Sequence, residues 1–195
     1  MGTVVSSASM SLDGYVAHPD DTPGALFDWY DNGPVEVRTA AAELTFHLSE
    51  ASAAHWASWV AELGALVVGR RLFDLTDGWG GNHPLGVPVV VVTHRPPSGW
   101  AHAGDHTEFA TDVGAAVARA QQIAGDATVG VAAGTVGSQC LDLGLLDEVS
   151  IDLVPVVLGA GRPYVTCSTT QVLLGDPTTT VQGDRVTHLR FPVRR

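Results

Sequence analysis

The chain has almost no cysteine, little positive charge and no long apolar run, and each shortage narrows what it can be. Only Cys140 and Cys167 occur in 195 residues, without a CxxC pair, so a disulfide framework is excluded and a reducing, cytoplasmic setting is expected. Both cysteines read as small core residues. Ten basic residues face twenty-one acidic ones, a formal charge of −11, which repels nucleic acid and anionic membrane surfaces. No apolar stretch nears the roughly 18 residues of a membrane span, and Met1 to Met10 lacks the basic start of a secretory signal. Neither nucleic acid nor membrane is expected as a partner.

The totals fit one folded unit. Hydrophobic residues make up 45% and charged residues 16%, a balance suited to an ordinary globular domain, and one domain over residues 1–195 is expected. Strand and helix signals alternate. Val4 to Met10 reads as a buried strand ending at the Asp13-Gly14 turn. His18 to Pro34 mixes Pro, Asp and Gly with Phe27, Trp29 and Tyr30, which suits a flap over a pocket or a loop held by its aromatics. Val35 to Leu48 is helix-compatible, and Ser52 is placed to cap a helix carrying Trp56, Trp59, Val60 and Leu63 on one face, stopped by Gly64.

Ala65 to Gly69 then reads as strand, Arg70 to Gly78 as a short helix, and Val87 to Thr93 as a strand buried on both faces. Thr107 to Ala110 and Thr128 to Ala132 are further strands, around a helix capped by Thr111 and closed by Gly125. Gly134-Thr135 opens a helix through Leu143. Glu148 to Pro155 and Val156 to Leu158 form an interrupted strand, and Gln171 to Leu174, Thr178 to Gln182 and Arg185 to Val193 end the chain in β structure. The expected fold is α/β, with helices on both faces of a mixed, mostly parallel sheet and an antiparallel hairpin at one edge.

In such sheets ligands bind beyond the carboxyl ends of the strands. Three strand exits carry suitable chemistry. At Gly69-Arg70-Arg71 a glycine permits close backbone approach and a helix start offers N–H groups to an anion. Thr93-His94-Arg95 sets a hydroxyl, an imidazole and a guanidinium together, as the 2′-phosphate of NADPH would require. Ala133-Gly134-Thr135-Val136-Gly137 is a small-residue turn into a helix, open to a pyrophosphate. Neither this turn nor Gly159-Ala160-Gly161 is a GxGxxG fingerprint, so a standard Rossmann dehydrogenase is disfavoured.

On the substrate side, Asp152 lies between Ile151 and Leu153 in an apolar strand. It could donate a proton, hydrogen-bond a substrate amine, or be satisfied by a backbone or subunit partner. Asp13 lies near the pocket, where turn formation beside Gly14 already accounts for it. Trp29, Trp79 and His83 could wall a flat ring or pack a lid. His102 and His106 have i, i+4 spacing, but Gly104 intervenes and no third ligand completes a set, so no metal is expected. Ser138 lies inside a helix and not on a GxSxG elbow, which argues against a serine hydrolase.

The order of these motifs resembles the dihydrofolate reductase superfamily. The residues are Ser9 to Ala17, Val68 to Arg71, Pro88 to Pro96, Ala133-Gly134, Leu145 to Glu148 and Val154 to Gly161. Within that superfamily the likeness is to the branch of the reductase domain of the bacterial riboflavin-biosynthesis deaminase-reductase, over nearly the whole chain. The resemblance implies a three-layer dihydrofolate-reductase-like fold and an oxidoreductase that takes hydride from NADPH to a small-molecule substrate. That substrate would be pterin-like, flavin-precursor-like, or a carbonyl or imine compound. It further implies Gly69, Arg70, Arg71 and Leu72 at the adenosine-side phosphates, Leu72 replacing a hydroxyl residue. Thr93, His94 and Arg95 would take the 2′-phosphate, and Ala133 to Gly137 the pyrophosphate, Ala133 replacing a glycine. Ser9, Val16 and Ala17 would hold the nicotinamide carboxamide. A homodimer is implied as well. No counterpart of the folate-protonating acid is evident, since Glu36 and Glu43 read as solvent-facing. The alternative from another class is a protein that binds a nucleotide or small molecule on the same fold without turning it over.

Overall fold

A computed structural model describes residues 2–102, 106–166 and 171–194. Its centre is an eight-stranded sheet. In chain order the strands that build it are β1 (Val4–Ser11), β5 (Leu63–Gly69), β6 (Val89–Val92), β7 (Thr107–Ala110), β8 (Thr128–Ala132), β9 (Glu148–Val154), β11 (Thr179–Gln182) and β12 (Thr187–Pro192). Their spatial order is β11-β12-β9-β1-β8-β5-β6-β7. From β9 to β7 every pairing is parallel, and β12 joins β9 antiparallel as half of the terminal hairpin. Two small antiparallel ribbons lie outside it: β2 (Tyr15–Ala17) with β10 (Arg162–Pro163), and β3 (Val35–Arg38) with β4 (Thr45–Leu48).

The central parallel strands β5, β6 and β8 are almost wholly apolar because both faces are covered. On one face α3 (Val113–Ala124) and α4 (Thr135–Asp142) enclose Val4, Val67, Val90, Val129, Val131 and Cys140. Burial pushes the Cys140 thiol up to about 12, so it behaves as a core side chain. On the other face α1 (Glu50–Glu62) and α2 (Arg70–Leu75) flank two further clusters. One gathers Leu66, Val68, Phe73 and Val91, and the other Leu26, Trp29, Leu48, Val154 and Val186.

Six local expectations are corrected. Val35 to Leu48 is no helix but the β3–β4 hairpin, because Val35 and Val37 alternate with Glu36 and Arg38, the two-residue period of a half-buried strand. The cap of α1 is Ser49, whose hydroxyl accepts the Ser52 N–H at 3.3 Å; Ser52 itself is buried. The cap of α3 is Asp112 and not Thr111, with its carboxylate accepting the Ala115 N–H at 2.8 Å. Gln171 to Leu174 makes only an isolated bridge, Leu174 to Val193, and Val156 to Leu158 leaves the sheet. The helix starting at Arg70 also stops early, at Leu75, and passes into a tight turn over Asp77–Gly81 in which Gly78, Trp79 and Gly80 are left-handed, with φ 58°, 53° and 59°. Cys167 lies outside the described residues.

The segment read as a flap contains a 3-10 helix, Gly24–Tyr30, that inserts Leu26 and Trp29 into the core. Its leading edge is held by charge. Asp21 adopts φ 70°, a left-handed conformation tolerated by Asp, and its carboxylate accepts from Arg162 at 2.7 Å and from Arg71.

The capping assignment can be tested by denaturant unfolding. Asp112→Ala should lose about 1 kcal/mol, whereas Thr111→Ala should stay within about 0.5 kcal/mol of the parent.

Candidate functional site

Because β8, β5 and β6 are adjacent and parallel, their carboxyl ends open side by side on one edge. Gly69 is paired with Val92 and Val67 with Val131. The turns that follow also touch. Arg70 at the start of α2 donates from Nη1 to the carbonyl of Arg95, and its Nε holds Asp74 at 2.7 Å. Thr93 is buried and its hydroxyl accepts the Arg95 N–H at 3.2 Å, which fixes the turn that exposes His94 and Arg95. A Cβ on Gly69 would lie 3.2 Å from Val136 on α4, so the first and third exits are in contact.

Gly134 has φ 86° and ψ −141°, a conformation that disfavours any side chain. A Cβ there would meet only the Pro163 carbonyl, at 3.9 Å, so the space before the helix start is open. Thr135 is exposed at that start, and the first N–H groups of a helix have no intrahelical acceptor. Gly137 has a different duty. A Cβ there would come within 2.8 Å of Ser6 Oγ and 3.1 Å of the Ala132 carbonyl, so glycine lets α4 lie on the sheet. Ala133 is half-buried, and Leu72 is partly exposed.

A cavity of 450 Å³ at the β5 exit is lined by Asp21, Arg70, Arg71, Asp74 and Leu75. Two cations and a glycine-flanked helix start fit a phosphate chemically, and each cation is meanwhile paired with a carboxylate, Arg70 with Asp74 and Arg71 with Asp21. Both arginines are solvent-accessible, while the Asp21 side chain keeps only 10% exposure; exposed ion pairs of this kind are weakly held.

Ser9, Val16 and Ala17 lie near the other end of this edge. Ser9 is buried on β1, in register with Asp152 on β9, and its hydroxyl accepts from Trp29 Nε1 at 3.1 Å. Val16 and Ala17 are half-buried on β2, in the ribbon pinned by β10.

Around Ser9 and Asp152 is a group of side chains that sequence reasoning found only in part. Asp152 accepts from, or shares a proton with, His188 Nδ1 at 2.6 Å, and the other nitrogen of His188 meets Ser52 Oγ at 3.0 Å. His188 is fully buried, while the Asp152 side chain keeps 22% of its exposure. His55, one turn beyond Ser52 on α1, stacks on His188 with ring centroids 4.3 Å apart. Trp29 meets the edge of His188 at 5.1 Å and stacks on Tyr30 at 4.0 Å. Burial, reinforced by the Asp152 charge, pushes the Tyr30 phenol above its usual range. Ser52, His55 and His188 carry no motif. The i, i+3 spacing of the first two on α1 is the only signal available, and their partner lies over 130 residues away.

Trp79 and His83 are not in this group. They meet at 4.3 Å, and Trp79 packs with Leu85, Val87, Trp100 and Phe109 around Phe73 and Val89 in the cluster beside β5 and β6. Burial lowers the His83 imidazole to about 4, and its Nδ1 accepts the Leu85 N–H at 3.1 Å, so the ring is neutral at physiological pH. Asp13 is a tie between loops. Its carboxylate accepts from the Ser11 hydroxyl at 2.7 Å, from Leu158 N–H at 3.1 Å and from Gly159 N–H at 2.7 Å, and these bonds, Ser11 first, hold its carboxyl below the usual range.

The arrangement of layers and strands matches solved structures along its entire length. A putative riboflavin biosynthesis protein from Shewanella sp. PV-4 is 19% identical with a TM-score of 0.74, over 99% of each chain. RibD from Acinetobacter baumannii is 17% identical with a TM-score of 0.61, over 100% of this chain and 58% of that one. Dihydrofolate reductase from Enterococcus faecalis, solved with NADP(H), is 11% identical with a TM-score of 0.61, over 100% of this chain and 98% of that one.

The fold is dihydrofolate-reductase-like, in the form shared with RibD. No family model matches the sequence, and no curated protein matches it either. The likeness is therefore one of architecture. In this dihydrofolate-reductase-like fold no helix among the described residues is long and apolar enough to cross a membrane.

The Asp21 anchor carries a pH dependence. Its carboxyl is lowered from 3.8 to about 2, chiefly by Arg71 and then by Arg162. A depressed carboxylate stabilises the fold above its unfolded value, and that contribution is lost as pH falls through the folded one. Urea unfolding should therefore show the parent losing more stability between pH 3.8 and about 2 than Asp21→Asn does.

Proposed function

We propose that this chain is an NADPH-dependent reductase that passes hydride to a small organic substrate. The observation that carries the reading is the contact between three strand exits: Arg70 bridges to the turn of Arg95, and Gly69 abuts the helix that Gly134 opens. One extended ligand with several phosphates would satisfy all three. Arg70, Arg71 and the start of α2 would take the adenosine-side phosphates, with Leu72 facing them without a hydroxyl. Thr93, His94 and Arg95 would bind the 2′-phosphate, and Ala133, Gly134, Thr135, Val136 and Gly137 would follow the pyrophosphate. Ser9, Val16 and Ala17 would orient the carboxamide. When bound, the cofactor would supply the hydride.

The chain's own part is to position, to exclude water and to manage a proton. Asp152, held by His188 in register with Ser9, is the candidate proton-handling group, and Trp29 is the candidate aromatic wall. Asp13 would act at a distance, by holding the β1–β2 turn against Leu158 and Gly159. Trp79 and His83 would shape the far wall through packing. The substrate class is pterin-like, flavin-precursor-like, or a carbonyl or imine compound. The setting proposed is cytoplasmic.

Fluorescence or calorimetric titration with NADPH and NADH tests this. NADPH should bind the more tightly, and Arg95→Ala should weaken NADPH about tenfold or more while leaving NADH unchanged, since a charge-assisted hydrogen bond is worth about 1.5–3 kcal/mol. Failure to bind either nucleotide overturns the reading. Binding without turnover of any candidate substrate would make the protein a nucleotide-binding module instead.

A homodimer is part of the same proposal. Leu143, Val165, Leu173 and Leu174 are exposed, and a largely apolar cavity of 510 Å³ lies among Leu141, Ile151, Val165 and Leu174. Such surface favours self-association. Light scattering should give twice the chain mass, and a monomer at micromolar concentration would refute it.

A further inference from the structure

We infer that His55, Asp152 and His188 form a binding site for one divalent transition-metal ion of the zinc type. The inference goes beyond the reductase reading and does not depend on it. One nitrogen from each imidazole and one oxygen of the carboxylate lie within 4.8 Å of one another. A tetrahedral zinc ion with bonds of about 2.0–2.1 Å spaces its ligand atoms by roughly 3.3 Å, so binding requires His55 to turn out of its stack on His188 and the 2.6 Å contact between His188 and Asp152 to open around the ion.

Three features distinguish this group from a chance meeting of polar residues. First, His188 is oriented as a metal ligand would be. Its Nδ1 points at the Asp152 carboxylate while Nε2 meets the buried Ser52 hydroxyl at 3.0 Å, and Ser52 is held in turn by Ser49 at 3.1 Å. A ligating histidine typically uses its second nitrogen for such an orienting bond, which fixes tautomer and ring plane. Gly183 closes over the pair, since a Cβ there would fall 2.2 Å from Ser52 Oγ.

Second, among the described residues no hydrogen bond accounts for His55. Its ring lies against His188 at 19°, and one of its nitrogens lies within 4.8 Å of the His188 and Asp152 ligand atoms.

Third, the surrounding charge is compatible with a cation. Arg190, a positive group whose field reaches His55, is occupied by Glu62 at 2.7 Å and by Glu148. The other neighbours are Tyr30, neutral, and Trp29. Two imidazoles and one carboxylate suit zinc, cobalt or ferrous iron and are too nitrogen-rich for calcium or magnesium. Three protein ligands leave a coordination position open for water or a substrate oxygen. Asp152 is in register with Ser9, so the ion would stand beside the strand proposed to hold the nicotinamide.

The test is metal titration of the whole chain, stripped with chelator and kept free of nucleotide. Zn²⁺ by calorimetry and Co²⁺ by its visible d–d absorption should each saturate at one ion per chain. His55→Asn and Asp152→Asn should each weaken binding at least about tenfold. His47→Asn, which removes an exposed imidazole paired with Asp31 at 3.2 Å, should bind as the parent does. Circular dichroism checks that each variant folds, and His55→Asn decides the matter if Asp152→Asn does not. Absence of saturable binding to the folded parent, or parent-like binding by folded His55→Asn, overturns the site. Because no nucleotide is present, failure here leaves the NADPH titration untouched, and failure of that titration leaves this one intact.

Discussion

The parallel alignment of β8, β5 and β6 is the constraint on which the rest of the molecule depends. Parallel strands must be joined by crossovers, and with helices on both faces every connection brings the next strand back to start at the same end. All three strands therefore release their turns on one edge. Valine supplies most of the adhesion: Val67, Val90, Val91, Val129 and Val131 are at most 1% exposed. A β-branched side chain packs well on a pleated surface and loses little freedom there. The edge where the Gly69, Arg95 and Gly134 turns open is thus a by-product of burying valine.

Charge is then distributed locally against the chain's overall sign. A net charge of −11 would oppose an anionic ligand if it were spread evenly, but screening limits such fields to about 8 Å at physiological ionic strength. Arg70 and Arg71 stand at the β5 exit with Asp74 and Asp21 as temporary partners. The Asp21 contacts also tether the segment leading to Gly24–Tyr30, so whatever displaces Arg71 also loosens one tie on the element that carries Trp29. Arg162 retains the second tie.

On the opposite half of the sheet, polar groups are buried in an apolar setting and are mutually satisfied. Ser9 answers Trp29, His188 answers Asp152, and Ser52 answers His188. Buried polar atoms without partners are costly, which is why such groups come as a connected set. The antiparallel β12 makes the set possible by bringing His188 directly opposite Asp152 in the ladder.

Much of this was legible from local pattern. The valine runs, the glycine after each helix and the Asp13-Gly14 turn mark strands and crossovers through short-range sterics, and so the sheet class and the three exits were readable. Val35 to Leu48 misled because its two strands are only four residues each, with an alanine-rich loop between them, too short for a two-residue period to stand out. Ser52 and Thr111 misled because several hydroxyl and carboxylate residues crowd each helix start, and the backbone angle at one of them selects the cap. The sequence by itself determined which segments are buried and which turns are rich in glycine and arginine, since these follow from side-chain shape and spacing along the chain. Only the tertiary structure decided that Arg70 reaches Arg95, that Trp79 and His83 lie apart from Trp29, and that residues 55, 152 and 188 converge. Those depend on strand order and register, which are set by the packing of the whole sheet and leave no trace in local spacing.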